Sequence, residues 1–327
     1  MKLLYAIQGT GNGHLSRARD IIPHLQHYGS LDLLVSGRAA DVRLSDPVQW
    51  QFYGMSFTFG KDGGVDIWDT LQKANIGRFW RDMRQFPIQD YDLIINDFEP
   101  ITAWAARRKA APLVALSHQS AVVHPAAPRP ASRDWLGSLV LRHYAPARVQ
   151  YGFHFEAYAE EIFTPVIRQG IRALSPSQAG HYTVYLPAVG DERMHAVLSQ
   201  IDVPWEVFSK HTSAAYTQGN VRFFPIQNEA FIRSLEHCTG LLCGAGFEAP
   251  AEALFLGKKL AVIPMTNQYE QHCNATALAR MGVPVLEALS VKALDRLRDW
   301  VMHQTATRVD YPDQTAAIVK RVIETTF

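Results

Sequence analysis

Read by its apolar positions, the chain opens on a short continuous hydrophobic run, LLYAI at 3–7, and repeats it as LDLLVS at 31–36, YDLIIND at 91–97 and PLVALS at 112–117. Continuous runs of this length, rather than alternating ones, fit strands buried on both faces. Segments of helix length such as 101–110 lie between them, so the pattern predicts βα units around a parallel sheet. A second series follows: YTVYLP at 182–187, WEVFS at 205–209, VRFFPI at 221–226, GLLC at 240–243 and KLAVIPM at 259–265. The breaker-rich TPVIRQGIRALSPSQAG at 164–180 stands between the two series. The expected fold is α/β, with two doubly wound, Rossmann-like domains facing across a cleft, 1–170 and 171–310. The closing segment 311–327 carries apolar residues at helical spacing; whether that helix returns to the first domain is left open. No repeat of 20 to 50 residues and no low-complexity tract interrupts the pattern.

Composition narrows the function classes. A chain of 327 residues with 47% hydrophobic and 19% charged residues suits a soluble protein of two domains, and a formal net charge of +1 gives no reason to expect nucleic acid. The three cysteines, Cys238, Cys243 and Cys273, form no C-x-x-C pair and no zinc spacing, so a reducing compartment and no metal are expected. MKLLYAIQ is too short for a signal segment, and no long apolar window follows. The expectation is a cytoplasmic protein with at most peripheral membrane contact. Asn274-Ala275-Thr276 fits a glycosylation sequon by chance.

Two glycine-rich loops carry the candidate chemistry. In GTGNGHLSRARD at 9–20, Gly9, Gly11 and Gly13 precede His14, which breaks the G-x-G-x-x-G of a dinucleotide site. The strand at 31–36 runs into Gly37 and Arg38 instead of ending on an acidic residue. In the second half, GLLC runs into GAGFEAPAEALFLG. Gly244 and Gly246 allow close backbone approach, and the following helix points free N–H groups at the same place, with Pro250 in its first turn and Gly257 as its stop. A phosphate cradle and a plain tight βα turn both fit these glycines.

The whole run GAGFEAPAEALFLGKKLAVIPMTNQYEQHCNATAL, 244–278, resembles the nucleotide-sugar-dependent glycosyltransferases of GT-B fold. That superfamily includes the UDP-glycosyltransferases and the lipid II N-acetylglucosaminyltransferase, and the run is similar to a less-characterised bacterial and archaeal branch of it. The resemblance implies that Gly244, Ala245, Gly246 and Phe247 hold the pyrophosphate and that Glu252 takes the ribose hydroxyls. It also implies that Glu270, Gln271 and Asn274 face the donor sugar, and that the strand with Phe224 and Ile226 receives the base. Glu248 reads as an acid complementing the helix dipole. Two departures stand out: Leu242, Cys243, Gly244 and Ala245 replace the plant branch's His-Cys-Gly-Trp, and LPAVGDE replaces its glycine-serine loop.

The same resemblance places the first loop, Gly11, Asn12 and Gly13, in the acceptor domain and makes His14 the general base, a role for which an imidazole's ordinary titration near neutrality is suited. Asp97, at the end of a strand, would orient it; Glu99 is the alternative, and either can cap the helix starting near Pro100. Asp90-Tyr91-Asp92 matches a metal-binding D-x-D but precedes an apolar strand, and GRFWRDMRQFP at 77–87 reads as an ordinary amphipathic helix, with a face toward a lipid-bearing acceptor or a membrane surface as the alternative. The expected activity is an inverting transfer of a hexose or N-acetylhexosamine from a UDP-sugar to a hydroxyl acceptor, without metal or cofactor. The alternatives are a UDP-sugar epimerase of the same fold and a catalytically idle nucleotide-sugar-binding protein. The acceptor surface is expected in 120–151, with lipid-linked and small-molecule acceptors both open.

Overall fold

A computed structural model describes residues 1–37, 44–53, 58–59, 65–66, 76–131 and 134–325. Arg38, residues 132–133 of the 120–151 stretch and residues 326–327 lie outside them.

Seven strands build the first sheet: β1 (Lys2–Gln8), β2 (Ser30–Ser36), β3 (Trp50–Phe52), β4 (Leu93–Asp97), β5 (Leu113–Ser117), β6 (Val149–Phe153) and β7 (Ile162–Phe163). Their order is β3-β2-β1-β4-β5-β6-β7, and every pairing is parallel. Six more build the second: β8 (Tyr182–Tyr185), β9 (Trp205–Ser209), β10 (Tyr216–Gln218), β11 (Val221–Pro225), β12 (Gly240–Gly244) and β13 (Lys259–Ile263). These run in the order β10-β11-β9-β8-β12-β13, parallel except for β10, which returns antiparallel onto β11 through Gly219 at φ 60°. The continuous apolar runs are the buried central strands, and Leu3 to Ile7 are fully buried.

The topology decides where chemistry can sit. Each sheet reverses its winding once, between β1 and β4 and between β8 and β12, and such switch points open a crevice at the carboxyl ends of the strands. The loops leaving there are GTGNGH after β1, the Asp97 turn after β4, LPAVGDE after β8 and GAGF after β12. The first, second and fourth lead into helices α1 (Asn12–Gln26), α3 (Pro100–Lys109) and α5 (Glu248–Phe255), and LPAVGDE runs into the helix Asp191–Leu198; α2 (Ile76–Gln85) precedes β4, α4 (His118–Val123) follows β5, and α6 (Tyr269–Arg280) follows β13. α2 buries Met83 and leaves Ile76 and Trp80 in solvent. The last helix, α7 (Thr315–Glu324), lies against α1 of the first half. There Thr325 and Tyr151 share a hydrogen bond of 2.7 Å, and Arg321 donates to Glu160 at 2.7 Å.

The halves meet through packed side chains. Phe247, from the second half, stacks on His118 of the first with ring centroids 3.9 Å apart and touches Phe155 at 5.2 Å. The close seat of α4 on β6 depends on Gly152, where a Cβ would lie 2.4 Å from the Ala121 nitrogen and 2.7 Å from its Cβ. Gly152→Ala is therefore expected to cost about 1–3 kcal/mol in denaturant unfolding, because backbone rather than a flexible side chain must give way. An unchanged midpoint would show that α4 slides freely on the sheet.

Candidate active site

His14 lies in the first turn of α1, after Gly11 turns the chain at φ 91°. Three residues on, Arg17 stands on the same face of the helix. Asp97 ends β4, the strand next to β1, with Ile7 as its direct partner in register. These constraints bring the three side chains together. His14 Nδ1 is 2.8 Å from Asp97 Oδ1, so a neutral imidazole donates from Nδ1 and presents an Nε2 lone pair. That Nε2 lies 3.4 Å from Gln119 Nε2, and Gln119 in turn donates to Glu270 Oε2 at 3.0 Å. His14 Nε2 thus faces the second half through one amide.

Arg17 is 2% exposed. Its Nη2 donates to Asp97 Oδ1 and Oδ2 at 2.9 and 2.7 Å, and its Nη1 donates to Glu248 Oε1 of the second half. Burial alone would raise the Asp97 carboxyl; the Arg17 guanidinium and His14 outweigh it and hold it below the usual carboxylate range. Burial pushes the Glu248 carboxyl up to about 7 against the pull of Arg17. Gly13 makes the approach possible, since a Cβ there would come within 3.0 Å of Glu248 Cγ.

Glu99 goes elsewhere. Phe98 takes φ 58°, and this left-handed turn sends Asp97 and Glu99 to different sides. The buried Glu99 carboxylate caps α3, accepting from Ile101 N at 2.8 Å, Thr102 N at 2.7 Å and Thr102 Oγ1 at 2.6 Å. Of the D-x-D residues, Asp92 accepts from the Lys2 backbone N–H at 2.7 Å, and Asp90 lies in the short 3₁₀ turn Ile88–Asp90. Among the described residues no group of three His, Cys, Asp or Glu could hold a metal ion, and no helix is long and apolar enough to cross a membrane.

In the second half, Gly244, Ala245 and Gly246 form the turn into α5, and the space where a Gly246 Cβ would lie is open. The Phe247 side chain is packed inward, so only its backbone faces that turn. Asn274 is fully buried: its Nδ2 donates to Ala245 O at 3.1 Å, and its Oδ1 lies 2.8 Å from His118 Nε2. Gln271 Oε1 accepts from Met265 N at 2.9 Å. Phe224 is half-buried and stacks on Phe208 at 5.2 Å, while Ile226 is exposed just beyond β11. Glu252 has a partner other than the ribose that the resemblance implies. Arg168, from the connection between the halves, takes both its oxygens at 2.5 and 2.8 Å, and the Glu252 side chain is 3% exposed. In this arrangement Glu252 fastens the halves together, and ribose could reach it only if Arg168 moved.

Four residues of this constellation escaped the reading of the chain as a binding or catalytic pattern. Arg17 carried a signal, its i+3 spacing from His14. Gln119, like Asp97, stands at the carboxyl end of a central strand, two residues past Ser117. Glu248 was noted only for the helix dipole, and nothing local marks Arg168 as a partner for Glu252.

The family model described as Glycosyl transferase family 1 matches residues 1–303. The chain belongs to this glycosyltransferase family. No curated protein matches it in sequence. Among solved structures, the glycosyltransferase is similar to Acinetobacter baumannii MurG, with 15% identity, a TM-score of 0.56 and 99% of each chain covered. It is also similar to the glycosyltransferase SnogD from Streptomyces nogalater, at 16% identity, TM-score 0.54 and 99% of each chain. Arabidopsis thaliana UGT89C1, solved with UDP, matches at 12% identity and TM-score 0.56, covering 99% of this chain and 94% of that one. At these identities the likeness is one of fold, and the fold is GT-B with two Rossmann-like domains.

Proposed function

We propose that this glycosyltransferase moves a hexose or N-acetylhexosamine from a UDP-sugar to an acceptor hydroxyl with inversion, without an essential metal or cofactor. The observation that carries this reading is the His14–Asp97 pair, whose Nε2 faces the second half. Residues 1–170, joined by 311–327, take the acceptor, and 171–310 take the donor. His14 Nε2 removes the hydroxyl proton while Asp97 stabilises the imidazolium. The hydroxyl oxygen attacks the anomeric carbon as the bond from that carbon to the diphosphate oxygen breaks. The leaving UDP is stabilised by the backbone N–H groups of the Gly244-Ala245-Gly246 turn and the N-terminus of α5. Glu270, Gln271 and Asn274 shape the sugar side, and Phe224 with Ile226 the side of the base. The UDP bound in the Arabidopsis protein supports the choice of nucleotide. The three thiols, buried and free, fit a reducing cytoplasm, with at most a peripheral membrane contact.

A thermal-shift series with UDP, UDP-glucose, UDP-N-acetylglucosamine and NAD(H), run in EDTA, tests the reading. The uridine compounds are expected to raise Tm in the logarithmic way of a specific ligand. A rise with NAD(H) and none with any uridine compound would reject it.

A further inference from the structure

Gly246 is partly exposed in the turn assigned to the diphosphate, and both its neighbours are buried. One buried side chain of the first half, His118, takes hold of each neighbour. Its ring stacks on Phe247 with centroids 3.9 Å apart and planes 9° from parallel. Its Nε2 lies 2.8 Å from Asn274 Oδ1, and Asn274 Nδ2 donates to Ala245 O at 3.1 Å. With its nitrogen on the Ala245 carbonyl, the Asn274 amide has only its oxygen left to accept from His118 Nε2. Glu270 Oε1, 3.9 Å from that ring nitrogen, favours a proton there. The ring is anchored in turn at its other nitrogen, since Nδ1 lies 2.8 Å from Phe153 O at the end of β6.

The consequence falls on the peptide between Ala245 and Gly246. A trans peptide points its C=O and its N–H in opposite directions. Asn274 draws the Ala245 carbonyl into the interior and so turns the Gly246 N–H outward. The space beside Gly246 is open, with nothing within 4 Å of where a Cβ would lie. Asn274 is fully buried with both ends of its amide engaged, so it reaches the donor through this peptide and not by touching the sugar.

We propose that His118 and Asn274 are positioning residues that aim the Gly246 N–H at the leaving diphosphate, so that the acceptor half, through Phe153 and His118, takes part in stabilising the leaving group held by the other half. An N–H whose direction is fixed before charge develops stabilises that charge without reorganising. The inference rests on the proposed function in taking this turn as the holder of the diphosphate.

The test measures binding of UDP, by calorimetry, and of uridine, by ligand-observed NMR, to the full chain as wild type, Asn274→Leu, His118→Leu and His118→Gln. A glutamine amide nitrogen reaches the place of a histidine Nε2 and donates to the same oxygen. Both leucine variants are expected to bind UDP about tenfold more weakly, while uridine, which has no phosphate, stays within about twofold of wild type. His118→Gln should recover most of the UDP affinity. General damage to the pocket would weaken both ligands alike, so a parallel loss, an unchanged UDP affinity, or a His118→Gln no better than His118→Leu overturns the proposal. If the leucine variants fail to fold, Asn274→Asp, which keeps the shape and removes the donor, takes their place with the same expected split. The Gly246 amide resonance of the unliganded chain reads the brace by itself: it should move in the disrupting variants and return in His118→Gln. A wild type that binds no UDP while this resonance behaves as expected would sink the functional reading and leave the bracing of the turn standing.

Discussion

His14→Ala should lower turnover by about a hundredfold or more while leaving donor affinity close to wild type. The separation follows from where things are. His14 sits in the first turn of α1, and its Nδ1 is held by Asp97, whereas the turn assigned to the diphosphate follows β12 of the other sheet. Removing the imidazole takes away the proposed proton acceptor and leaves the Gly244-Ala245-Gly246 backbone untouched. Asp97→Asn should give a similar but smaller loss, since the ring remains while its cationic form loses support. Steady-state kinetics paired with calorimetric titration of UDP-sugar separates the two quantities. Lost donor binding with unchanged turnover of bound substrate would make GTGNGH the nucleotide cradle and reverse the roles of the halves.

Glu252→Ala is expected to destabilise the fold by about 3 kcal/mol, the scale for leaving one member of a buried ion pair without its partner. Arg168 donates twice to this carboxylate from the segment joining the halves, and its own side chain is 18% exposed. Denaturant unfolding should show the loss, and replacing Arg168 by Met in the same chain should recover much of it by removing the stranded charge. A variant that unfolds like wild type but binds UDP far more weakly would restore the ribose role that the resemblance implies for Glu252.

The fold was legible wherever strands are central. Nine apolar runs, from LLYAI to KLAVIPM, coincide with strands because residues buried on both faces have no polar alternation to confuse them. The missed strands of the two large sheets are edges or near-edges: Trp50–Phe52 and Ile162–Phe163 are three and two residues long, Val149–Phe153 carries Gln150 and Gly152, and Tyr216–Gln218 is exposed throughout. Of the site, the His14–Asp97 pairing followed from strand-end logic together with the resemblance. The cross-junction pairs did not, because Arg17 and Glu248 are 231 residues apart and Arg168 and Glu252 are 84 apart, with no local period to link them. Glu248 satisfies a helix dipole and an arginine at once, and only the first is visible in its own segment.

The central claim is that a sugar leaves a uridine nucleotide for a hydroxyl. The most direct measurement incubates the protein with UDP-glucose or UDP-N-acetylglucosamine, carbon-13 labelled in the sugar, and a panel of lipid-linked and small-molecule hydroxyl acceptors. Mass spectrometry and NMR of the products then locate the label. The account predicts one UDP released for each labelled sugar, now joined to an acceptor oxygen with inverted anomeric configuration. Label remaining on the nucleotide, either epimerised or unchanged, would contradict it.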